Sequence, residues 1–258
     1  MTDQTRGVLY PERLPRFTRV APAPAAADLV AWFWIPEWQL PDGVVSRQEV
    51  LPYPAANLVV EPDGVTLWGP ATRYTERELT GSGWAVGALL RPAAFSRLAA
   101  DPSSLVDRSL LLDAAELPAV IADVMPGGAT AAAEVLERWL AVRVGERTGE
   151  ARLANAMADL LMTDPAILRV EDAAARLGVS VRTLQRLAHR TVGLPPAAMI
   201  RRRRLQEAAQ RVRDDPGVRL AEVAAELGYS DQAHLAADFR TVLGITAGSY
   251  RRSASGRE

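Results

Sequence analysis

One stretch of this chain carries side chains whose types and spacing suit recognition chemistry. From Val181 onward, Arg182, Gln185, Arg186 and His189 recur at i, i+3, i+4 and i+7, so a helix places them on one side and Leu184, Leu187, Ala188 and Thr191 on the other. The polar stripe holds no acid. Arg and Gln present paired donors and acceptors that fit guanine and adenine edges in the major groove. Thr183 and Arg190 complete the set expected to contact DNA on this helix. Between Ser180 and Arg213 there are nine Arg against one Glu, including "RRRR" at 201–204. Four consecutive Arg wrap around a helix, so only some can face one partner. Arg201 and Arg204 are assigned to phosphates, with the others solvated or paired with acids.

Other chemistries are constrained by what the chain lacks. It has no Cys, which removes disulfides, thiolate nucleophiles and the usual structural zinc sites. Its two His, His189 and His234, both lie in the C-terminal part, so a metal cluster in the first 150 residues would have to be all carboxylate. No catalytic constellation, metal site or cofactor is expected, and the chain is not read as an enzyme. The longest apolar run, "LVAWFWI", is too short to span a bilayer, and the first residues lack a signal-type segment, which points to a cytoplasmic location without a membrane partner.

The elements that position the stripe are legible from a repeat. At an offset of 50, "VEDAAARLGVS" (170–180) lies over "LAEVAAELGYS" (220–230), matching Ala174 with Ala224, Leu177 with Leu227, Gly178 with Gly228 and Ser180 with Ser230. Each copy reads as a short helix, a tight turn and a second helix. Ala permits close helix crossing, Gly accepts positive φ, and Ser can cap the next helix. Between the copies, a helix from Pro196 to about Arg213 would span roughly 27 Å at 1.5 Å per residue. It is a strut suited to holding two recognition helices about 34 Å apart, one turn of B-DNA.

The rest of the chain is different in texture. Residues 1 to about 28 read as a Pro- and Ala-rich lead-in. Strands are expected from about 29 to 91, including a hairpin at "ANLVVEPDGVTLWGP", and helices from 92 to 147. In the last of these, Val135, Leu136, Trp139, Leu140 and Val142 form a stripe that packs on its own domain or offers a dimer face. Residues 1–150 hold 13 Arg against 19 acids and residues 151–258 hold 17 against 12, an acidic module joined to one with an anionic partner. The fold class is therefore α+β: a β-rich domain at 1–148 with following helices, an all-α domain at 149–252 with helix-turn-helix motifs at about 170–192 and 220–243, and a tail at 253–258.

Residues 150–252 resemble the DNA-binding domain of the AraC/XylS family of bacterial transcription regulators. The resemblance is carried by "AARLGVSVRTLQRL", "VGLPPAAMIRRRRLQEA" and "LAEVAAELGYSDQAHLAADFRTVLGITAGSYRR". It implies two helix-turn-helix motifs bridged by a linker helix and joined to a variable sensor or dimerisation domain. Carried over by position, base-reading sites fall on Arg182, Gln185 and Arg186, and near Gln232, Ala233, Ala236 and Ala237. The chain departs from the family pattern at Ala237, often basic, at Leu235 and Ala188, often Phe, and at Ala247, usually Pro. Residues 28–148 resemble sensor domains of less-studied members through "LPYPAANLVV", "GPATRY" and "GALLRPAAF". Alkyl-transfer repair modules fused to related DNA-binding domains need a thiolate, which this chain does not have.

The expected function is sequence-specific transcription regulation, activating or repressing, in response to a small-molecule effector. The alternative is a constitutive co-regulator or architectural protein acting through protein contacts. The partners implied are double-stranded DNA, an effector, a second copy of the chain and, for an activator, RNA polymerase. Effector candidates are Trp32, Trp34, Trp68 and Trp84 in the strand region, with sheet core as the competing role, and Arg91 beside a Pro-initiated helix, with an ion pair to an acid such as Glu61 or Glu78 as the competing role. In the second motif Leu235, Phe239 and Val242 turn inward and Ala233, Ala236, Ala237 and Arg240 outward, flanked by Asp231 and Asp238. That face is nearly blank, so the first motif is expected to specify and the second to dock through Gln232, His234 and Arg240.

Overall fold

The computed structural model describes residues 16–50, 53–146, 148–215 and 217–254. Its first part is built on a seven-stranded antiparallel sheet made of β1 (Arg16–Val20), β2 (Val30–Gln39), β4 (Asn57–Glu61), β5 (Gly64–Trp68), β7 (Ser82–Trp84), β8 (Val86–Leu90) and β9 (Ser109–Leu112). The order is β1-β2-β8-β4-β5-β9, with β7 also paired to β2, and β3 (Val45–Val50) pairs with β6 (Thr75–Thr80) in a separate ribbon.

Alternation along β2 decides what each face does. Phe33 and Ile35 are fully buried on one side, and Trp32 and Trp34 point to the other. The first side packs against three helices: α1 (Pro92–Leu98), α2 (Leu117–Val124) and α3 (Ala129–Val144). Phe33, Leu58, Leu67 and Val86 of the sheet meet Phe95, Ile121, Leu136 and Leu140 there. Truncating one of these side chains, Leu136→Ala for instance, removes about 2–5 kcal/mol.

The strand region begins earlier and ends later than the sequence indicates. β1 occupies part of the stretch expected as a lead-in, residues 1–15 of which lie outside the described residues. β9 interrupts the stretch expected as helical, because the short run "SLLL" finds a free sheet edge beside β5. Of the stripe on α3, Val135, Leu136 and Leu140 are buried in the core and Trp139 packs against it, whereas Val142 is 85% exposed.

The remainder is all-helical: α4 (Gly149–Thr163), α5 (Val170–Arg176), α6 (Val181–Thr191), α7 (Pro196–Asp214), α8 (Leu220–Glu226), α9 (Gln232–Asp238) and α10 (Ala247–Ala254). α9 continues into a π-helical turn at Phe239–Leu243, and α10 takes up the first two residues of the expected tail. Two apolar clusters support these helices, and α7 serves both. Its Met199 and Ile200 lie in the cluster under α4, α5 and α6, and its Leu205, Ala208 and Val212 lie in the cluster under α8, α9 and α10. Among the described residues, no helix is long and apolar enough to cross a membrane.

Candidate nucleic-acid interface

In the first motif, α5 ends at a turn on Gly178, whose φ of 65° is left-handed and therefore favours glycine. Ser180 then caps α6, its hydroxyl accepting from the Thr183 amide at 3.1 Å. Leu184, Leu187, Ala188 and Thr191 are buried, which fixes the helix rotation and leaves Arg182, Gln185, Arg186, His189 and Arg190 exposed. The exposed residues divide. Arg190 pairs with Glu150 of α4 at 2.7 Å, and His189 lines a cleft with Asp101 and Arg97 at the end of α6. Arg182, Gln185 and Arg186 have no protein partner among the described residues. Thr183 serves the cap, its hydroxyl 2.9 Å from that of Ser180.

The second motif repeats the backbone and changes the surface. Gly228 turns at φ 73°, and Ala224, like Ala174, is nearly fully buried at the crossing. The cap differs from the expected one: Asp231, not Ser230, accepts from the His234 amide at 2.8 Å, and this hydrogen bond holds the Asp231 carboxyl below its usual range. Leu235, Phe239 and Val242 face inward. Asp238, expected to flank the outer face, is instead 1% exposed and turned toward α7, because Arg201 waits there. His234 stays exposed, with Nδ1 3.2 Å from the Ser230 hydroxyl and its ring edge-on to Tyr229 at 5.2 Å. Gln232, Ala233 and Arg240 are exposed, Ala236 and Ala237 half-buried.

Residues 173–253 match a helix-turn-helix domain family, and residues 18–110 match a domain of unknown function, DUF6597. The HTH-type transcriptional activator AarP of Providencia stuartii is 33% identical over 89 residues, which cover 34% of this chain and 65% of AarP. Residues 173–253 therefore carry a helix-turn-helix domain. Among solved structures, ToxT of Vibrio cholerae O395 overlaps 87% of this chain and 98% of its own at 11% identity and a TM-score of 0.45. The AraC-like transcriptional activator CuxR overlaps 74% and 86% at 15% identity and a TM-score of 0.22.

In this helix-turn-helix domain the four consecutive arginines all turn to protein. Arg201 grips Asp238 through two hydrogen bonds, the Nε bond at 2.8 Å. Arg202, 7% exposed, donates to the carbonyls of Ala71 and Thr72 in the loop between β5 and β6. Burial pushes its guanidinium down to about 10, still charged at neutral pH. Arg203 donates to the Ile167 carbonyl at 2.7 Å, and Arg204 stacks on Tyr229 at 4.0 Å. Arg201 and Arg204, assigned to phosphates from the sequence, thus both have protein partners in the fold. A 19-residue helix that carries two clusters buries most of its circumference, and its cations find acids, carbonyls and a ring there.

The strand registers sort the effector candidates by face. Trp32, Leu89, Asn57 and Trp68 form one row across β2, β8, β4 and β5, and Trp34, Gly87, Val59 and Thr66 form the next on the same face. Trp34 lies over Gly87, where a Cβ would overlap its ring, and its Nε1 donates to Asn57 Oδ1 at 3.0 Å. The Arg19 guanidinium stacks on Trp32 at 4.9 Å, and Tyr53 meets Trp32 edge-on at 5.5 Å. Trp84 does not join them, because it packs against the core on the opposite face. Arg91 has an acidic partner in the fold. It pairs with Asp159 of α4, and the nearby start of α1 is occupied by Asn155, whose Oδ1 accepts from the Ala93 amide at 3.0 Å. Neither Glu61 nor Glu78 is the partner of Arg91; they pair with Arg77 and Arg47. Among the described residues, no group of three or more His, Asp or Glu is placed to hold a metal ion.

Proposed function

We propose that this protein is a sequence-specific, DNA-binding transcription regulator whose first helix-turn-helix motif reads bases and whose second mainly docks. The observation that carries this reading is the state of the cations. The arginines of α7 are all engaged by protein, whereas Arg182, Gln185 and Arg186 stand exposed and, among the described residues, unpartnered on a capped helix held by its buried face. Base-edge recognition needs such groups to be free and pre-oriented. In the second motif Gln232, His234 and Arg240 are exposed for docking, with Ala233 available to a thymine methyl. We read residues 1–148 and the residues from 149 as two domains, a reading supported by the fully buried members of two apolar clusters, which run to Val144 in one and start at Ala154 in the other, although Tyr53 and Val106 also pack against the second. Selection of bound sequences from a random duplex library tests the reading. Strong preference over one half-site and weak preference over the other supports it; no enrichment, or equal preference in both halves, contradicts it.

We further read the aromatic face of the sheet, Trp32, Trp34 and Trp68 around Asn57, as the surface for a small-molecule effector. Flat rings beside an amide and the Arg19 cation suit a planar or apolar molecule with one polar end. A thermal-shift screen with tryptophan fluorescence checks it. Constitutive action is the better account if no compound class moves either signal.

A further inference from the structure

The repeat between the two motifs extends past their recognition helices. At the same offset of 50, "RTVG" (190–193) lies over "RTVLG" (240–244), matching Arg190 with Arg240, Thr191 with Thr241 and Val192 with Val242. Val192 and Val242 are both buried, and the π-helical turn at Phe239–Leu243 takes up the extra residue before the second glycine. Gly193 and Gly244 therefore close the two recognition helices at equivalent places, at φ 83° and 69°.

The strand-bearing part of the chain lies against both closures. A Cβ on Gly193 would overlap the Pro102 carbonyl, in a 3₁₀ turn at Pro102–Leu105, and one on Gly244 would overlap the Tyr74 ring. Each contact is reinforced. Val106 packs against the apolar cluster under the first motif. At the second, the Tyr74 amide donates to the Val242 carbonyl at 2.9 Å, and Arg202 holds the carbonyls of Ala71 and Thr72.

The two contacting segments, 69–74 and 101–108, are fastened to each other. The Gly69 amide donates to the Arg108 carbonyl at 2.9 Å and the Asp107 amide to the Pro70 carbonyl at 3.2 Å. The Asp107 carboxylate accepts from both the amide and the hydroxyl of Thr72, each at 2.5 Å. Asp107 sits at φ 58°, the one left-handed residue other than glycine among the described residues. That conformation is unfavourable for a residue with a Cβ, and it is held where the carboxylate reaches Thr72.

We propose that Asp107 is a positioning residue for DNA docking. It fastens the two segments into one brace that reaches from the end of α6 to the end of the second recognition helix, so the motifs are joined by a second strut beside α7. One strut sets a separation, and two set an angle as well. The second motif then meets the duplex already placed by the first, which raises its effective concentration at the DNA. The inference rests on the reading of both motifs as DNA-binding.

The test compares the affinity of the full chain for two duplexes in the same salt: a selected operator, and the same operator cut back by one helical turn so that only the first motif's segment remains. Wild type is expected to bind the long duplex about tenfold or more tightly than the short one. Asp107→Gly suits the left-handed backbone and removes the carboxylate; it is expected to cut that ratio by roughly threefold or more, with binding to the short duplex unchanged. Asp107→Asn tolerates the same φ and keeps an oxygen for the Thr72 amide, and it is expected to restore most of the ratio. Thr72→Val loses only the hydroxyl bond and is expected to give a smaller fall in the same direction, a readout that stands even where Asp107→Gly does not fold. A ratio unchanged in both Asp107→Gly and Thr72→Val, an equal loss on the two duplexes, or no recovery with Asp107→Asn would overturn the inference. A wild type that binds the two duplexes alike would overturn it together with the two-motif reading beneath it.

Discussion

Arg201 and Asp238 tie the linker helix to the second recognition helix. The carboxylate is buried at 1% exposure and accepts two hydrogen bonds from a guanidinium that remains half-exposed. The second motif is therefore oriented by a charge pair from α7 as well as by apolar packing.

Replacing Arg201 with Ala leaves a buried carboxylate unpaired, and a loss of roughly 1.5–3 kcal/mol in urea unfolding is expected. The salt dependence of DNA binding is the more discriminating readout. A phosphate contact contributes about 0.9 to the slope of log K against log salt on B-DNA. Below its melting range Arg201→Ala should keep the wild-type slope, and a slope reduced by about one would return this residue to the DNA face.

The same logic explains what the sequence does and does not reveal. The rotation of α6 is legible because Leu184, Leu187 and Ala188 recur at helical period with a capping Ser before them, and local spacing alone sets that face. The "RRRR" run is opaque, because four residues in a row sample every direction. Their partners, Asp238, Ala71, Ile167 and Tyr229, lie tens of residues away in either direction. Trp34 and Trp84 look alike as residues, and only the pairing register assigns them to opposite faces. β9 is hidden because three leucines between helices fit either period.

Asp231 governs the second motif in acid. Its folded value lies below that of the free side chain because the carboxylate accepts from the His234 amide, so its contribution is present above about pH 4 and is lost as pH falls through the lowered value. Asp231→Asn should keep the cap while flattening this acid limb. Asp231→Ala should lower the melting temperature at pH 7, read by circular dichroism.

Gly244 sits at φ 69° with the Tyr74 ring against it, and the Tyr74 amide donates to the Val242 carbonyl at 2.9 Å. Gly244→Ala introduces a left-handed alanine and a Cβ where the ring lies. A loss of at least about 1 kcal/mol is expected. Hydrogen exchange should show the Tyr74 amide losing protection ahead of the amides of α6. Unchanged protection would mean that the β5–β6 loop does not depend on this contact.

The central claim is that the unpartnered face of α6 reads sequence. Titration of Arg186→Ala against a selected operator and a random duplex of equal length, in the same salt, measures it directly. The expected loss is about 1–3 kcal/mol on the operator with a much smaller loss on the random duplex. Equal losses on both would contradict the account and make Arg186 one more backbone contact.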